Sequence, residues 1–328
     1  RKFIDMYAGR LRNQVSFMLS ACNFYMPIFE EALDAYGLPL ELRYLPIIES
    51  ALNPSAVSRA GASGLWQFMI GTGKIYGLES NSLVDERRDP IKATWAAARY
   101  LKEMYDIYGD WNLVIAAYNC GPGTINKAIR RANGETDYWK IYNYLPKETR
   151  GYVPAFIAAN YVMTYYCDHN ICPMETNIPA STDTVQVNKN LHFEQIADLC
   201  NVPLDQIKSL NPQYKKQMIP GDSKPYTLRL PIDAISTFID KQDTIYAHRA
   251  DELFRNWKTV AVKEITPSTR KTTTAVAGKG KLTYYTIKSG DTLSTIAGKY
   301  GVTIKDIQRW NGMSNTKIAA GKRLKIYK

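Results

Sequence analysis

A carboxylate in apolar company is the residue with the clearest chemical potential. Glu49 falls in Leu45-Pro46-Ile47-Ile48-Glu49-Ser50-Ala51-Leu52-Asn53-Pro54, where loss of water would raise its pKa toward neutrality and make it a candidate general acid. The plainer alternative is a solvated or helix-capping glutamate, because Glu is seldom buried without a partner. Asp85, Glu86 and Asp89 read as helix caps and solvated loop acids. The five cysteines, Cys22, Cys120, Cys167, Cys172 and Cys200, match no zinc spacing, and neither a metal nor a cofactor is expected. Cys167 and Cys172 are close enough in sequence to bridge in an oxidising compartment, and equally suited to remain as two packed thiols. His192 has no second ligand nearby and is expected at the surface.

These side chains need a helical frame to hold them. Ile91, Trp95, Ala98, Leu101 and Tyr105 recur at steps of three and four, with Asp89 as N-cap and Pro90 at the first helical position. Further helices are expected over Lys2–Tyr36, with a break near Met26-Pro27, and over Glu41–Leu52, Trp111–Tyr118, Thr124–Ala132 and Lys147–Tyr166. Gly61-Ala62-Ser63-Gly64, Gly71-Thr72-Gly73 and Gly121-Pro122-Gly123 read as turns. Beyond residue 180 short strands flank short helices, and a shift of 100 residues superimposes Val185 on Tyr285, Ile196 on Ile296, Ile207 on Ile307 and Asn211 on Asn311. Each copy reads strand, helix, helix, strand. Thr266 to Lys281 is a linker by composition.

With these elements in place, the motifs become specific. Glu49-Ser50, Asn53-Pro54, Ala56, Ser58 and Gly61-Ala62-Ser63-Gly64-Leu65-Trp66-Gln67-Phe68 resemble the first motif of the lytic transglycosylase family with a goose-lysozyme-like fold. Ala117-Tyr118-Asn119-Cys120-Gly121-Pro122-Gly123 is similar to its AYNxGxG motif, and Leu145 to Pro154 to its later segment with a functional tyrosine. The resemblance implies that Glu49 protonates the glycosidic oxygen beside N-acetylmuramic acid. It then takes a proton from that sugar's own C6 hydroxyl, leaving a 1,6-anhydro end. It also implies substrate contacts from Ser58, Gln67, Tyr118, Asn119 and Tyr152, with Trp66 packed beneath the acid and Cys120 a small buried residue. Glycosidases ordinarily need two carboxylates, and Glu148 is the rival to keep, with an orienting role expected.

Tyr285 to Leu293, Ile296-Ala297, Trp310-Asn311 and Gly321 to Ile326 resemble a LysM domain. That likeness implies a βααβ fold gripping N-acetylglucosamine-containing glycans, with Gly290, Asp291, Thr292 and Leu293 in the first loop and Gly312 to Ala320 in the second. Gly290 to Thr292 also suit a turn and a helix cap. The earlier copy has Asn188 to Phe193 in place of the glycine-containing loop, and weaker glycan binding is expected there. The layout is therefore a mainly α lysozyme-like domain over 1–180, a divergent LysM-like domain over 181–232, a helical connector and linker over 233–281, and a LysM domain over 282–328.

Composition bounds the function. Of 328 residues, 45% are hydrophobic and 22% charged, which excludes a disordered chain. The apolar run from Tyr152 to Tyr166 is too short to span a bilayer, and the chain, opening at Arg1, reads as a soluble, processed or trimmed form. Lys and Arg balance Asp and Glu at 18 each over residues 1–180, whereas 24 oppose 13 afterwards. A basic half suits anionic wall polymers, membrane surfaces or nucleic acid, but no base-reading motif accompanies it, so no nucleic-acid partner is expected. The expected partner is the glycan strand of peptidoglycan, met by a monomer in the bacterial periplasm, with membrane association through an anchor outside this sequence. A muramidase using water and a noncatalytic wall-binding protein are the alternatives.

Overall fold

Interlocking helices form the first 176 residues, and the reason is the spacing of their apolar side chains. The computed structural model describes residues 1–176, 178–179, 181–255, 282–288, 291–313 and 318–327. The chain divides into two units, Arg1–Thr266 and Pro267–Lys328. In the first, a 24-residue helix, Arg12–Ala35, buries Val15, Met18, Phe29 and Leu33 against the helix Pro90–Tyr108. The helix Trp111–Cys120 is buried from Leu113 to Ala117 and packs on Lys147–Thr164. Asp89 caps its helix as expected, its side chain accepting the amides of Ile91 and Lys92.

Several local expectations need correction. The Arg12–Ala35 helix runs through Pro27 unbroken, because Asn23 and Pro27 both lie on its exposed face, where water can serve the carbonyl that proline leaves unpaired. The interruption comes earlier, as a π-helical turn at Met6–Arg10. Gly71-Thr72-Gly73 is not a turn but part of the helix Ile70–Ile75. A Cβ on Gly73 would sit 3.1 Å from Cγ of Arg87, so close helix packing explains that glycine. Cys120 is half-buried, and Cys167 and Cys172 are exposed free thiols.

The helix bearing Glu49 is short, Leu45–Ser50, preceded by a 3-10 turn at Leu40–Tyr44. It ends abruptly because Ala51 and Leu52 both adopt left-handed conformations, φ 51° and 58°. Two such residues in succession are uncommon without glycine. They turn the main chain into the loop Asn53–Phe68, which folds back over the acid.

Residues 182–247 form a second core within the same unit. Strand Thr182–Val187 pairs antiparallel with Tyr226–Pro231, Val185 opposite Leu228, and the helices Phe193–Cys200 and Leu204–Leu210 close the βααβ arrangement. The stretch read as a connector begins with helices Ile232–Asp240 and Gln242–Ala247, whose Ala234, Phe238 and Ile245 complete this core. His192 is half-buried and caps Phe193–Cys200, its ring accepting the amide of Glu194, which corrects the surface expectation.

The second unit repeats the plan. Strand Leu282–Thr286 pairs with Arg323–Tyr327, Tyr285 opposite Leu324, over helices Leu293–Tyr300 and Ile304–Asn311. The linker read over Thr266 to Lys281 lies outside the described residues, as do Gly290 and part of the second loop. No described helix is long and apolar enough to cross a membrane.

Candidate active site

Glu49 stands on the last turn of its helix and faces a cavity of about 580 Å³. Ser58 and Gln67 line the same cavity. So do Met6, Tyr7, Leu11, Gln14 and Met18 from the N-terminal segment. Burial pushes the Glu49 carboxyl up to about 7; a hydrogen bond from Tyr152 opposes that rise and the charge of Glu148 adds to it. Tyr152 donates its hydroxyl to Oε1 of Glu49. Burial holds the phenols of Tyr118 and Tyr152 well above their ordinary range, so both remain neutral donors.

The loop over the acid is fastened at many points. Ser50 donates its hydroxyl to the Leu65 carbonyl at 2.9 Å, and Tyr118 to the Trp66 carbonyl at 2.7 Å. Gln67 donates its side-chain amide to the carbonyls of Ala56 (3.2 Å) and Gly64 (2.8 Å). The Ser58 hydroxyl accepts the Ala62 amide at 3.0 Å. Trp66 is fully buried, donates to Thr94 Oγ1 at 2.8 Å and meets Phe29 edge-on with ring centroids 5.3 Å apart. Gly64, at φ 88°, has no alternative: a Cβ there would lie 1.7 Å from the carbonyl oxygen of Arg87.

Of the residues singled out in the sequence, Glu49, Ser58, Gln67, Tyr118 and Tyr152 come together around the acid. Asn119 is held one step away, accepting the hydroxyl of Thr149 at 2.8 Å, and Glu148 is exposed. A larger groove, about 910 Å³, runs past Phe24, Tyr25, Leu52 and Pro203, but its carboxylates Glu175 and Asp205 are exposed. Sequence reasoning missed Tyr7 and Gln14. Their only signal lies in the fold: the Lys2–Asp5 turn packs on Lys147–Thr164, Phe3 lying against Gly151, which brings the π-turn beside Tyr152.

It also misjudged Asp85 and Glu86. Both are buried rather than solvated, at 1% and 5% exposure. Asp85 binds Arg87 through both oxygens at 2.8 Å, and Glu86 pairs with Lys92 and accepts the Glu79 amide.

The site thus combines a half-buried acid at a helix end, a neutral tyrosine upon it and a fastened loop above it. Residues 26–141 match the family described as Transglycosylase SLT domain, residues 181–247 the LysM-like domain of lytic transglycosylase MltD, and residues 285–326 the LysM domain. The chain therefore contains a segment similar to the transglycosylase SLT domain, followed by segments similar to LysM-like and LysM domains. Among individual relatives, it is 32% identical over 296 residues to membrane-bound lytic murein transglycosylase D of Escherichia coli strain K12, covering 88% of this chain and 60% of that protein. It is 33% identical over 124 residues to the soluble lytic murein transglycosylase of the same strain, covering 36% of this chain and 19% of that protein. Among solved structures it aligns with the 70 kDa soluble lytic transglycosylase SLT70 of Escherichia coli at 29% identity and a TM-score of 0.38, over 44% of this chain and 24% of that one. The chain thus spans about 60% of the length of the first of these relatives. The SLT match ends before Glu148 and Tyr152, so their place beside the acid rests on geometry.

Proposed function

We propose that the chain cleaves the β-1,4 bond between N-acetylmuramic acid and N-acetylglucosamine in peptidoglycan without adding water. The observation that carries this reading is a single carboxyl poised near neutrality in the cavity, Glu49. A group that titrates near the working pH can give and then take a proton. Glu49 gives its proton to the departing glycosidic oxygen. The C6 hydroxyl of the muramic sugar closes on C1 and passes its proton to the Glu49 carboxylate, so the acid is regenerated and a 1,6-anhydro end is left. Tyr152 steadies the carboxylate between the two transfers, and Ser58, Gln67, Tyr118, Asn119 and Glu148 complete the substrate-binding surface.

The remaining parts serve the same substrate. The assigned layout is a catalytic domain over 1–180, a LysM-like domain that extends past residue 232 through the helices to 247, a connector from there to 281 and a glycan-binding LysM domain over 282–328. Gly290, Asp291, Thr292 and Leu293 form its first contact loop. A tethered binder raises the local concentration of enzyme on an insoluble polymer. The protein works as a monomer in the periplasm, attached to a membrane by a segment outside this sequence.

One observation favours a second reading. Glu148 lies near enough for its charge to raise Glu49, and a second carboxylate could activate water as a muramidase requires. Mass spectrometry of muropeptides released from purified sacculi separates the two. Predominantly 1,6-anhydro ends support the lytic reaction; predominantly reducing ends overturn it in favour of hydrolysis.

A further inference from the structure

The LysM-like domain of residues 182–247 departs from the expected binding arrangement. The two loops that should grip a sugar are instead zipped together: Asn190–His192 pairs antiparallel with Met218–Pro220, Leu191 opposite Ile219. Asn190 also donates its backbone amide to Asp222 at 3.1 Å, and a Cβ on Gly221 would strike the Lys189 carbonyl at 2.2 Å. The second loop faces the catalytic domain. Leu83 and Val84, from the segment between Ile70–Ile75 and Pro90–Tyr108, are buried in the LysM-like core at 1% and 0% exposure. Val84 bridges to Tyr214, the Lys215 amide donates to the Leu83 carbonyl at 2.8 Å, and the Asp85 amide donates to the Gln213 carbonyl at 2.9 Å.

We infer that this domain is a positioning element for the active-site loop, acting through Lys215, Asp85 and Arg87, rather than a glycan binder. The Lys215 ammonium donates to the Asn81 carbonyl at 2.7 Å and lies 3.8 Å from Asp85 Oδ2. Asp85 clamps Arg87 through both carboxylate oxygens, with the paired side chains 2% and 6% exposed. The remaining guanidinium nitrogen of Arg87 donates to the carbonyls of Gly61 at 2.8 Å and Phe68 at 2.9 Å, the two ends of the glycine-rich segment that folds over Glu49. A buried, satisfied polar network fixes its members more tightly than isolated contacts do, and a displacement of about 1 Å at a reacting group can reduce turnover on the order of a hundredfold. Lys215 is the informative position: without it Asp85 and Arg87 remain a neutral, fully bonded pair, so the fold keeps no orphaned charge.

The kinetic arm of the test rests on the function proposed above; the structural arm does not. In the full chain, Lys215→Met and Lys215→Arg are compared with wild type by amide hydrogen exchange and by steady-state release of muropeptides. Lys215→Met is expected to speed exchange about fivefold or more at the amides of Ser58, Ser63, Gly64 and Gln67, which are bonded within the loop, with the Pro90–Tyr108 helix unchanged. It should lower kcat by roughly tenfold with KM within about twofold, and Lys215→Arg should restore both signals. Unchanged exchange at those four amides overturns the inference, as does a loss of activity accounted for by the unfolded fraction alone. An inactive wild type counts against the proposed reaction, while the exchange comparison still decides whether the domain positions the loop.

Discussion

The Tyr152 hydroxyl meets Oε1 of Glu49 from a helix 103 residues further along the chain. Burial raises the acid and this hydrogen bond lowers it, so two opposing influences tune one carboxyl. Replacing Tyr152 with Phe removes only the lowering influence. The Glu49 pKa in Tyr152→Phe should rise above its wild-type value, and the alkaline limb of the pH–rate profile should move upward with it. Turnover should fall by roughly tenfold, since the carboxylate formed midway loses its donor. A profile identical to wild type would contradict the coupling.

Glu49→Gln keeps the shape of the side chain and removes its proton. Muropeptide release from sacculi should drop by about a hundredfold or more, with the circular dichroism spectrum unchanged. Near-wild-type turnover in a folded variant would show that another group supplies the proton.

The same residue links stability to pH. Its folded-state pKa of about 7 lies above the ordinary value of 4.5, so between those limits the native state holds more protons than the unfolded one. Stability from this group therefore falls as pH rises from about 4.5 to about 7, by up to about 3 kcal/mol at 1.36 kcal/mol per unit. Glu49→Gln should lack that slope and unfold later than wild type above pH 7. Parallel denaturation midpoints for the two proteins from pH 4 to pH 8 would exclude it.

Gly64→Ala should be severe. The new methyl would fall 1.7 Å from the Arg87 carbonyl oxygen, at a backbone φ of 88°. A loss of about 3 kcal/mol or more is expected, read as a lower urea midpoint, together with loss of turnover.

Asp291 organises the first loop of the C-terminal unit: it accepts the Tyr285 hydroxyl and the Lys288 amide, both at 2.8 Å. These bonds hold its carboxyl below the usual carboxylate range. Asp291→Ala should weaken retention of the full chain on insoluble peptidoglycan by about fivefold through the loss of two hydrogen bonds. The deficit should persist in high salt, where bulk charge attraction is screened. Equal retention of variant and wild type would remove the loop from glycan binding.

Much of this architecture was legible because local rules govern it. Asp89 before Pro90 announces a helix start by capping chemistry alone, and the Glu49 block, the AYNxGxG stretch and the offset repeat are contiguous patterns. Residues that depend on distant partners were not legible. Asp85 and Glu86 look like loop acids until Arg87, Lys92 and the LysM-like domain close around them. Gly71-Thr72-Gly73 looks like a turn until the Arg87 side chain occupies the space beside Gly73. Tyr7 and Gln14 belong to no motif; a π-turn, which leaves no periodic trace in composition, carries that segment to the cavity.

The corner after Glu49 sets a limit on engineering. Ala51 and Leu52 hold left-handed backbone without glycine, at φ 51° and 58°, a state that costs roughly 1 to 2 kcal/mol per residue. A designer seeking thermal tolerance would choose Ala51→Gly, which relieves that strain. The gain would come at the hinge between acid and loop, where glycine's freedom lets the carboxyl drift from its tyrosine. Heat resistance and turnover should therefore trade against each other at this corner, and stabilising substitutions are better sought on the exposed helix faces.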